Sequence, residues 1–271
     1  MPELPEVETT RRGIAPAVVQ QRIVDVKVRE RRLRIPLTPD TERAVLGQWI
    51  QAVERRGKYL LIALERGVVL VHLGMSGSLR LVAVDTPPRR HDHVDLVLGN
   101  GRCLRFHDPR RFGLVHWIES PAEAHPLLCH LGPEPLSEQF AGQVLYQRAA
   151  KRRSAVKTLI MDSRVVVGVG NIYANEALFL AGIDPRRAAR EVSIEQYQAL
   201  AERIRQVLSA AIEQGGTTLR DFVREDGNPG YFAQALRVYG RDQKPCVICG
   251  APIVQTRIAQ RATYFCTQCQ H

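Results

Sequence analysis

The chain has 271 residues, enough for two modest domains with buried cores. It carries 38 Lys and Arg against 28 Asp and Glu, which gives a formal net charge of +10 and a pI near 9.7. This excess of positive charge attracts phosphate backbones. An anionic membrane is the competing partner, but no strongly apolar amphipathic anchor accompanies the basic stretches, so nucleic acid is favoured. The sequence has no secretory signal and no transmembrane run, and we expect a reducing cytosol.

The first half of the chain is predicted to be mostly strands. Residues 3 to 20 indicate a helix, despite Pro5 in its first turn. Gly, Asn or Pro turns then separate short apolar or alternating segments. The predicted strands are 23–28, 59–64, 68–73, 78–82, 94–98 and 103–106. Many short strands with regular turn signals predict a β-sandwich or barrel over residues 22 to 118.

The second half is predicted to be helical. A proline-rich stretch, residues 120 to 137, indicates a linker. Helical patterns cover about 141 to 162 and 172 to 181. From Ser193 the apolar residues follow one face of a long amphipathic helix, which Ser193 and Gln196 cap and Gly215-Gly216 ends. Between these helices, residues 165 to 173 are punctuated by glycine. That segment could bind a phosphate through free backbone N–H groups and Asn171, or form only a tight helix–helix turn.

Four cysteines close the chain as Cys246-x-x-Cys249 and, after sixteen residues, Cys266-x-x-Cys269. Two such pairs predict one closed, structural zinc site, with a β-hairpin between them. Two disulfides are the alternative, which a reducing cytosol disfavours. Cys103 and Cys129 stand alone and are expected to be buried.

Basic residues fall in six clusters. They are Arg29 to Arg34, Arg55-Arg56 with Lys58, Arg89-Arg90, Arg110-Arg111, Arg148 to Arg153, and Arg186-Arg187. A further arginine, Arg261, lies in the loop of the predicted zinc hairpin, where it could reach into a polyanion or remain a solvated surface charge. Six clusters on one chain favour the polyanion.

The N-terminus allows two interpretations. Removal of Met1 would expose the secondary amine of Pro2, and a terminal amine is far less basic than lysine. Such an amine can attack a sugar C1′ and form a Schiff base, with Glu3 and Glu6 placed to exchange protons. An ordinary helix start also places proline and acids at these positions, and spacing alone favours that interpretation.

Motifs from both ends of the chain carry a family resemblance. They are the opening Pro2-Glu-Leu-Pro-Glu-Val-Glu8, Arg56-Gly-Lys58-Tyr-Leu-Leu, His72-Leu-Gly-Met75-Ser-Gly, His91-Asp-His-Val-Asp, Asp108-Pro-Arg-Arg-Phe-Gly113, Val167-Gly-Val-Gly-Asn171-Ile-Tyr-Ala and the four terminal cysteines. In this order, over essentially the whole chain, they resemble bacterial formamidopyrimidine-DNA glycosylases. The resemblance implies excision of oxidised purines from duplex DNA, followed by strand cleavage through β- and δ-elimination.

The resemblance also implies an α+β fold in three parts. These are an N-terminal β-sandwich catalytic domain with an N-terminal helix (1–134), a linker and helical helix-two-turn-helix DNA-binding domain (135–236), and a four-cysteine zinc finger with a β-hairpin (237–271). One Zn²⁺ is expected at Cys246, Cys249, Cys266 and Cys269. The expected partner is damaged double-stranded DNA and not a membrane, and the protein is expected to act as a monomer in the bacterial cytoplasm, at the nucleoid when on DNA.

Roles carried over from the resemblance fall on two sets of residues. The catalytic set is Pro2 as nucleophile, Glu3 as principal acid, Lys58 as the donor for β-elimination and Arg261 as the donor for δ-elimination. The DNA-contact set is Met75, His91, Arg110, Phe112, Arg152, Lys157, Asn171 and Tyr239. Within it, Met75 and Phe112 are expected to be exposed and to fill the vacated site, with Arg110 facing the orphaned base.

Gly216 to Tyr231 resembles the family's mobile loop over the damaged purine. Two alternatives stay open at this point. One is an endonuclease VIII-like glycosylase for oxidised pyrimidines, and the other is a non-catalytic zinc-finger DNA-binding protein. The opening motif and the Asp108-Pro-Arg-Arg-Phe-Gly113 loop argue against the first, and Pro2-Glu3 argues against the second.

Overall fold

The structure is a computed structural model that describes residues 2–119, 121–216 and 235–271. It divides into two compact units. Unit 1 contains the described residues up to 129 together with 215 and 216, and unit 2 contains 130–214 and 235–271. Among the described residues, no helix has the length and apolar character needed to cross a bilayer. The predicted domain limits at 134 and 236 stay predictions.

Unit 1 is built from two antiparallel sheets and one long helix. Its elements are α1 Leu4–Val18, β1 Ile23–Val28, α2 Pro39–Val45, β2 Ile50–Arg56, β3 Tyr59–Leu64, β4 Val68–His72, β5 Ser78–Ala83, β6 Asp92–Leu98, β7 Arg102–His107 and β8 Leu114–Ile118. The strand orders are β1-β6-β7-β5 and β2-β3-β4-β8. One buried cluster takes apolar side chains from both sheets and from α1, so the unit is the predicted β-sandwich with its N-terminal helix.

Three elements of unit 1 were not predicted. Strands β2 and β8 join the second sheet at its two edges, and α2 precedes β2. β2 ends in Glu54-Arg55-Arg56 and β8 contains His116, so neither has the apolar run or clean alternation that marks a strand in sequence. Their pairing with β3 and β4 decides their structure.

Helix α1 begins with a capping box. Glu3 is the N-cap, with extended backbone angles, and the Glu6 carboxylate accepts the Glu3 N–H at 2.8 Å. Pro5 lies in the first turn, where a missing N–H costs nothing. Leu4, Val7 and Ile14 are buried, so the helix lies firmly on the core.

A cluster of charges fixes α1 to β2. The Glu8 carboxylate accepts hydrogen bonds from Arg11 and Arg12 on its own helix and from Arg55 on β2, at 2.8–3.1 Å. Burial raises the pKa of Glu8, but these hydrogen bonds and the charges of Arg11 and Arg55 outweigh that effect and lower it to about 2. Because the charged carboxylate is stabilised in the folded state, the cluster stabilises the fold.

Unit 2 is helical and ends in a hairpin. Its elements are α3 Gly142–Ala149, α4 Val156–Met161, α5 Asn171–Leu180, α6 Ile194–Glu213, β9 Val254–Ile258 and β10 Arg261–Phe265. The capping box at Ser193 and Gln196 is confirmed, and α6 ends before Gly215 and Gly216, which have φ of 75° and 84°. The predicted hairpin between the cysteine pairs is confirmed as β9 and β10.

The single helical segment predicted for 141 to 162 is wrong. Residues 150 to 155 separate α3 from α4, because their backbone groups bond elsewhere. Val156 N–H donates to the Arg187 carbonyl, and Ser154 carbonyl accepts the Ala189 N–H. A segment that pairs with a distant strand-like stretch cannot also complete helical i to i−4 bonds.

The Glu8 cluster predicts a pH-dependent stability. Since the folded-state pKa of about 2 lies below the ordinary 4.5, the contribution is complete above pH 4.5 and is lost as the pH falls towards 2. Glu8→Gln should therefore lower the free energy of unfolding at pH 7 by about 3 kcal/mol. In urea titrations at decreasing pH, the difference in the free energy of unfolding between the wild type and Glu8→Gln should become smaller. Asp85→Asn, an exposed position outside the cluster, is the control and should change stability by less than about 0.5 kcal/mol.

Candidate active site

Pro2 lies outside the helix that follows it. Glu3 is the N-cap and Leu4 the first helical residue, so Pro2 does not occupy the position that an ordinary helix start gives to proline. Pro5 fills that role instead. Pro2 and Glu3 are both buried, and the bond from Glu3 N–H to the Glu6 carboxylate fixes the peptide that joins them. The arrangement holds the start of the chain in one conformation.

Lys58 lies at a tight turn between β2 and β3. Gly57 has φ of +57°, which an L side chain rarely adopts, and Arg56 pairs directly with Tyr59 across the turn. Arg55 donates one hydrogen bond to the Gly57 carbonyl and another to Glu8, both at 3.1 Å. The Lys58 turn is thereby tied to α1, the helix that begins just after Pro2.

His72 lies at the end of β4 and entered the sequence analysis only as part of a motif. The charge of Lys58 affects its pKa. Burial lowers the pKa of its imidazole, and the charges of Arg34 and Lys58 lower it further, to about 4. The ring is neutral at neutral pH, and its Nδ1 accepts the Gly74 N–H at 3.0 Å. The neutral ring therefore carries its proton on Nε2, a feature that sequence spacing alone did not indicate.

Two loops of unit 1 bear the predicted wedge residues. Phe112 is 47% exposed, as expected, and the Arg110 guanidinium lies over its ring at 4.8 Å. Met75 is half-buried and not exposed as expected, and Gly74 and Ser76 on either side of it are buried. A side chain on Gly74 would come within 2.5 Å of Gly113 N, so the two loops touch through their glycines.

His91 has an unusual backbone conformation, with φ of +75°. Its ring lies 6.1 Å from that of His93 and 6.2 Å from that of His107. Desolvation, followed by the charges of Arg90 and the two histidines, lowers the pKa of His91. A neutral imidazole offers a hydrogen bond without a full charge.

In unit 2 the tip of the zinc hairpin presents Arg261. Ala259 and Gln260 form a two-residue turn with φ of 46° and 63°, and Arg261 is exposed beside it. A cavity of about 310 Å³ opens there, between the hairpin and α4. Its lining residues are Arg152, Lys157, Thr158, Met161, Asp162, Ile258, Ala259 and Arg261. Arg152 pairs with Asp162 across this cavity at 3.5 Å, and Arg261 adds a second guanidinium, so the cavity carries a net positive charge that suits an anion.

Lys157 and Asn171 both bind the hairpin. The Lys157 amine, on a residue only 1% exposed, donates to the Ala262 carbonyl at 2.9 Å and to Thr263 Oγ1 at 2.8 Å. Asn171 Nδ2 donates to the same carbonyl at 3.0 Å. Both contacts fall on the residues that directly follow Arg261, so they fix the place of its backbone.

Tyr239 is held by two contacts. Its N–H donates to the buried Glu176 carboxylate at 2.9 Å, and its ring lies 5.2 Å from that of Tyr264 on β10. The predicted DNA-contact residues of unit 2 are thus gathered around the hairpin.

The four terminal thiols form one cluster. Their Sγ atoms all lie within 4.8 Å of one another, with 3.9 Å from Cys246 to Cys269 and 3.5 Å from Cys249 to Cys266. A tetrahedral Zn²⁺ with bonds of about 2.3 Å separates its sulfurs by about 3.8 Å, which these distances match. Cys103 is buried as expected, but Cys129 is exposed, because it follows a turn at His125-Pro126 on the surface.

Comparisons with known proteins agree along the whole chain. Family models match residues 1–115 (formamidopyrimidine-DNA glycosylase N-terminal domain), 131–223 (its H2TH domain) and 243–271 (zinc finger found in FPG and IleRS). A formamidopyrimidine-DNA glycosylase of Methylococcus capsulatus is 60% identical over 270 residues, covering 100% of both chains. The chain belongs to the formamidopyrimidine-DNA glycosylase family.

Solved structures of this family share the fold. The Fpg protein from Thermus thermophilus matches with a TM-score of 0.89 and 43% identity, covering 99% of this chain and 98% of that one. The Lactococcus lactis Fpg in complex with DNA containing N7-benzyl-Fapy-dG matches with a TM-score of 0.92 and 31% identity over 100% of both chains.

Membership in the glycosylase family confirms several predictions. The fold is α+β, with the β-sandwich, helical and zinc-hairpin parts expected. The chain is an enzyme, a DNA glycosylase with AP lyase activity that acts in base-excision repair. One structural Zn²⁺ belongs to the four cysteines. The predicted loop from Gly216 to Tyr231 lies outside the described residues, except for Gly216 itself.

The cysteine cluster predicts that loss of one thiol removes the zinc ion but leaves unit 1 folded. Cys249→Ala should lower the zinc content from one ion per chain to nearly none, measured by elemental analysis, because three thiolates leave the site open. Both tryptophans, Trp49 and Trp117, lie in unit 1, so their fluorescence spectrum should stay unchanged. Cys129→Ala, outside the cluster, is the control and should keep its zinc. Full zinc in the Cys249 variant would contradict the assignment.

Proposed function

We propose that this glycosylase excises oxidised purines, 8-oxoguanine and formamidopyrimidines, from duplex DNA with Pro2 as the nucleophile, and then cleaves the strand. The position of Pro2 is the observation that supports this proposal. Pro2 is buried and lies outside α1, and Glu6 fixes the peptide that joins it to Glu3. A nucleophile on a chain terminus needs such fixation, because termini are otherwise poorly ordered.

The proposed chemistry begins with the amine freed by removal of Met1. The Pro2 nitrogen attacks C1′ of the damaged nucleotide, the bond from C1′ to the base breaks, and the base leaves with a proton. Glu3 donates a proton to the sugar ring oxygen as it leaves C1′, and the iminium forms. A secondary amine with a pKa well below that of lysine can do this without a metal or cofactor.

Strand cleavage follows from the iminium. Loss of a C2′ proton expels the 3′ phosphate, and loss of a C4′ proton expels the 5′ phosphate. Family resemblance assigns Lys58 to the first elimination and Arg261 to the second. The tie from Arg55 to both Gly57 and Glu8 supports a fixed place for Lys58 relative to α1. His72 is neutral, so it adds no further charge to the surroundings of Lys58.

Access to C1′ requires that the damaged nucleotide leave the duplex. We place Met75, Arg110 and Phe112 in the vacated space. The large exposed fraction of Phe112, under the Arg110 guanidinium, supports this assignment, because an exposed aromatic on a basic loop suits stacking between bases. His91 is assigned to a neutral hydrogen bond with the DNA.

The remaining contacts are assigned to phosphates. Arg152 and Arg261 face one cavity, and Lys157 and Asn171 hold the hairpin that presents Arg261. Tyr239 adds a contact from the adjoining segment. The net charge of +10 supports damaged double-stranded DNA as partner, as does the Lactococcus lactis complex with a modified purine. We expect the protein to act as a monomer in the bacterial cytoplasm, at the nucleoid when on DNA.

A borohydride trapping experiment tests the nucleophile. The enzyme with a mature N-terminus should form a covalent adduct with a duplex that contains 8-oxoguanine, because borohydride reduces the iminium. A tag that stays on the N-terminus should abolish trapping and strand cleavage, and the same tag on the C-terminus should not. If the N-terminally tagged protein still traps, and peptide mapping places the adduct on Lys58, the Pro2 mechanism is wrong.

Glu3→Gln separates the acid from the nucleophile. It should abolish base excision yet keep some cleavage at a pre-formed abasic site, because an open-chain aldehyde needs less acid assistance to react with an amine. Single-turnover rates on the two substrates give the comparison. Equal loss on both would contradict the acid role of Glu3.

Phosphate binding by Arg152 predicts a change in salt dependence. Arg152→Ala should make the plot of log affinity against log salt shallower by about one unit, because one fewer counterion is released. Arg203→Ala, an exposed arginine on α6, is the matched control and should leave the slope unchanged. Fluorescence anisotropy over a range of KCl concentrations provides the slopes.

A further inference from the structure

The carboxylate of Asp108 binds both wedge loops. The residue follows β7 and is 0% exposed. Its Oδ1 accepts the Ser76 hydroxyl at 3.1 Å and the Arg110 N–H at 3.2 Å, and its Oδ2 accepts the Gly113 N–H at 2.8 Å. Ser76 adjoins Met75, and Arg110 and Gly113 bracket Phe112, so one side chain holds the loops of all three wedge residues.

The backbone of Asp108 extends this connection. Its N–H donates to the His91 carbonyl at 3.1 Å, and its carbonyl accepts the Arg111 N–H at 3.2 Å. The same carbonyl lies 2.8 Å from His93 Nε2. Arg111 has φ of +56°, a conformation that needs support from its surroundings. Asp108 therefore joins His91, the residue just before β6, to both wedge loops.

Close backbone packing leaves little room for these loops to shift independently. A side chain on Gly113 would come within 2.5 Å of the His72 carbonyl oxygen and 3.1 Å of Asp108 Oδ2. Gly74 meets Gly113 at a similar distance. The loops share one small space, and the carboxylate is the polar group that fills it. A buried N–H that loses its acceptor is costly, so removal of the carboxylate should release the loops.

We propose that Asp108 is a positioning residue for nucleotide extrusion, which holds Met75, Arg110 and Phe112 as one rigid wedge. The inference rests on the proposed function. A wedge must stay in place while base pairs unstack around it, and that unstacking is unfavourable. If the loops were flexible, part of the binding free energy would be consumed in ordering them, and less would remain for unstacking. Asp108 is itself buried, so it acts through the loops and does not touch DNA.

Asp108→Asn tests the proposal. The amide keeps one acceptor oxygen but turns an N–H₂ group towards one of its present donors. Excision of 8-oxoguanine from a duplex should slow on the order of tenfold to a hundredfold, because the wedge is misplaced. Cleavage at a pre-formed abasic site should change less than about threefold, since less unstacking is needed. Fluorescence of 2-aminopurine beside the lesion should report the slower extrusion directly.

Asp95→Asn is the matched control. Asp95 is 2% exposed, on β6 of the same unit, and its carboxylate binds Arg29 and Arg105 away from the wedge loops. Loss of the Asp95 carboxylate should lower thermal stability, and it should reduce the rates of 8-oxoguanine excision and of abasic-site cleavage by the same factor. Ser76→Ala is a second wedge variant, which removes one of the three bonds to the carboxylate. It should show the same selectivity as Asp108→Asn, with a smaller effect, and it keeps the test valid if the Asp108 variant does not fold.

The outcomes separate the two proposals. Suppose that the wild-type protein excises 8-oxoguanine and forms the borohydride adduct. If Asp108→Asn and Ser76→Ala then have wild-type rates, or lose rate equally on the lesion duplex and the abasic site, the Asp108 inference alone is overturned. If the wild-type protein neither excises nor traps, the proposed function fails and this inference fails with it. The positioning role is supported if the variants excise 8-oxoguanine more slowly, show a slower change in 2-aminopurine fluorescence, and still cleave the pre-formed abasic site at nearly the wild-type rate.

Discussion

In the proposed function, the nucleophile at the chain terminus must be both chemically free and immobile, and the contacts of unit 1 meet this requirement. Termini fray unless a docked element holds them. Here the bond from Glu3 N–H to Glu6 fixes the terminal peptide, and buried apolar side chains seat α1 on the sandwich. Glu8 then ties that helix to Arg55, which also binds the Lys58 turn. The first residues and the Lys58 turn therefore share one support, and a shift of α1 on the sandwich would displace both.

Buried polar groups carry out the same task twice in this chain. In unit 2, the buried Lys157 amine and the half-buried Asn171 amide fix the strand that begins at Arg261. In unit 1, Asp108 fixes the loops that present Arg110 and Phe112. A buried polar group held by several hydrogen bonds specifies one geometry, as the Lys157 amine and the Asp108 carboxylate do here. The exposed side chains that meet DNA in the proposed function can thus be long and basic without being loosely placed.

The sequence predicted best where a local signal is sufficient. Cysteine spacing indicated the zinc cluster, and the Ser193 capping box indicated α6, because each depends on residues close in the chain. It failed where partners are distant. The break between α3 and α4 depends on bonds to residues 187 to 189, and β2 and β8 depend on their neighbours in the sheet. In the candidate site, chemistry pointed to Pro2 only as one of two interpretations, and the N-cap at Glu3 is what separates it from a helix start.

Charge illustrates the limit of interpreting single residues from a sequence. Several arginines in the basic clusters bind acids of the same unit. The pairs include Arg29 with Asp95, Arg31 with Glu42, Arg32 and Arg111 with Glu30, Arg55 with Glu8, and Arg186 with Asp184. These arginines support the fold, and a count of clusters overstates the surface available to a polyanion. The net charge of +10 is unchanged by such pairing, and it governs long-range attraction to DNA. Net charge therefore predicts the class of partner, and assignment of an arginine to a phosphate requires the acid, or the open cavity, that lies beside it.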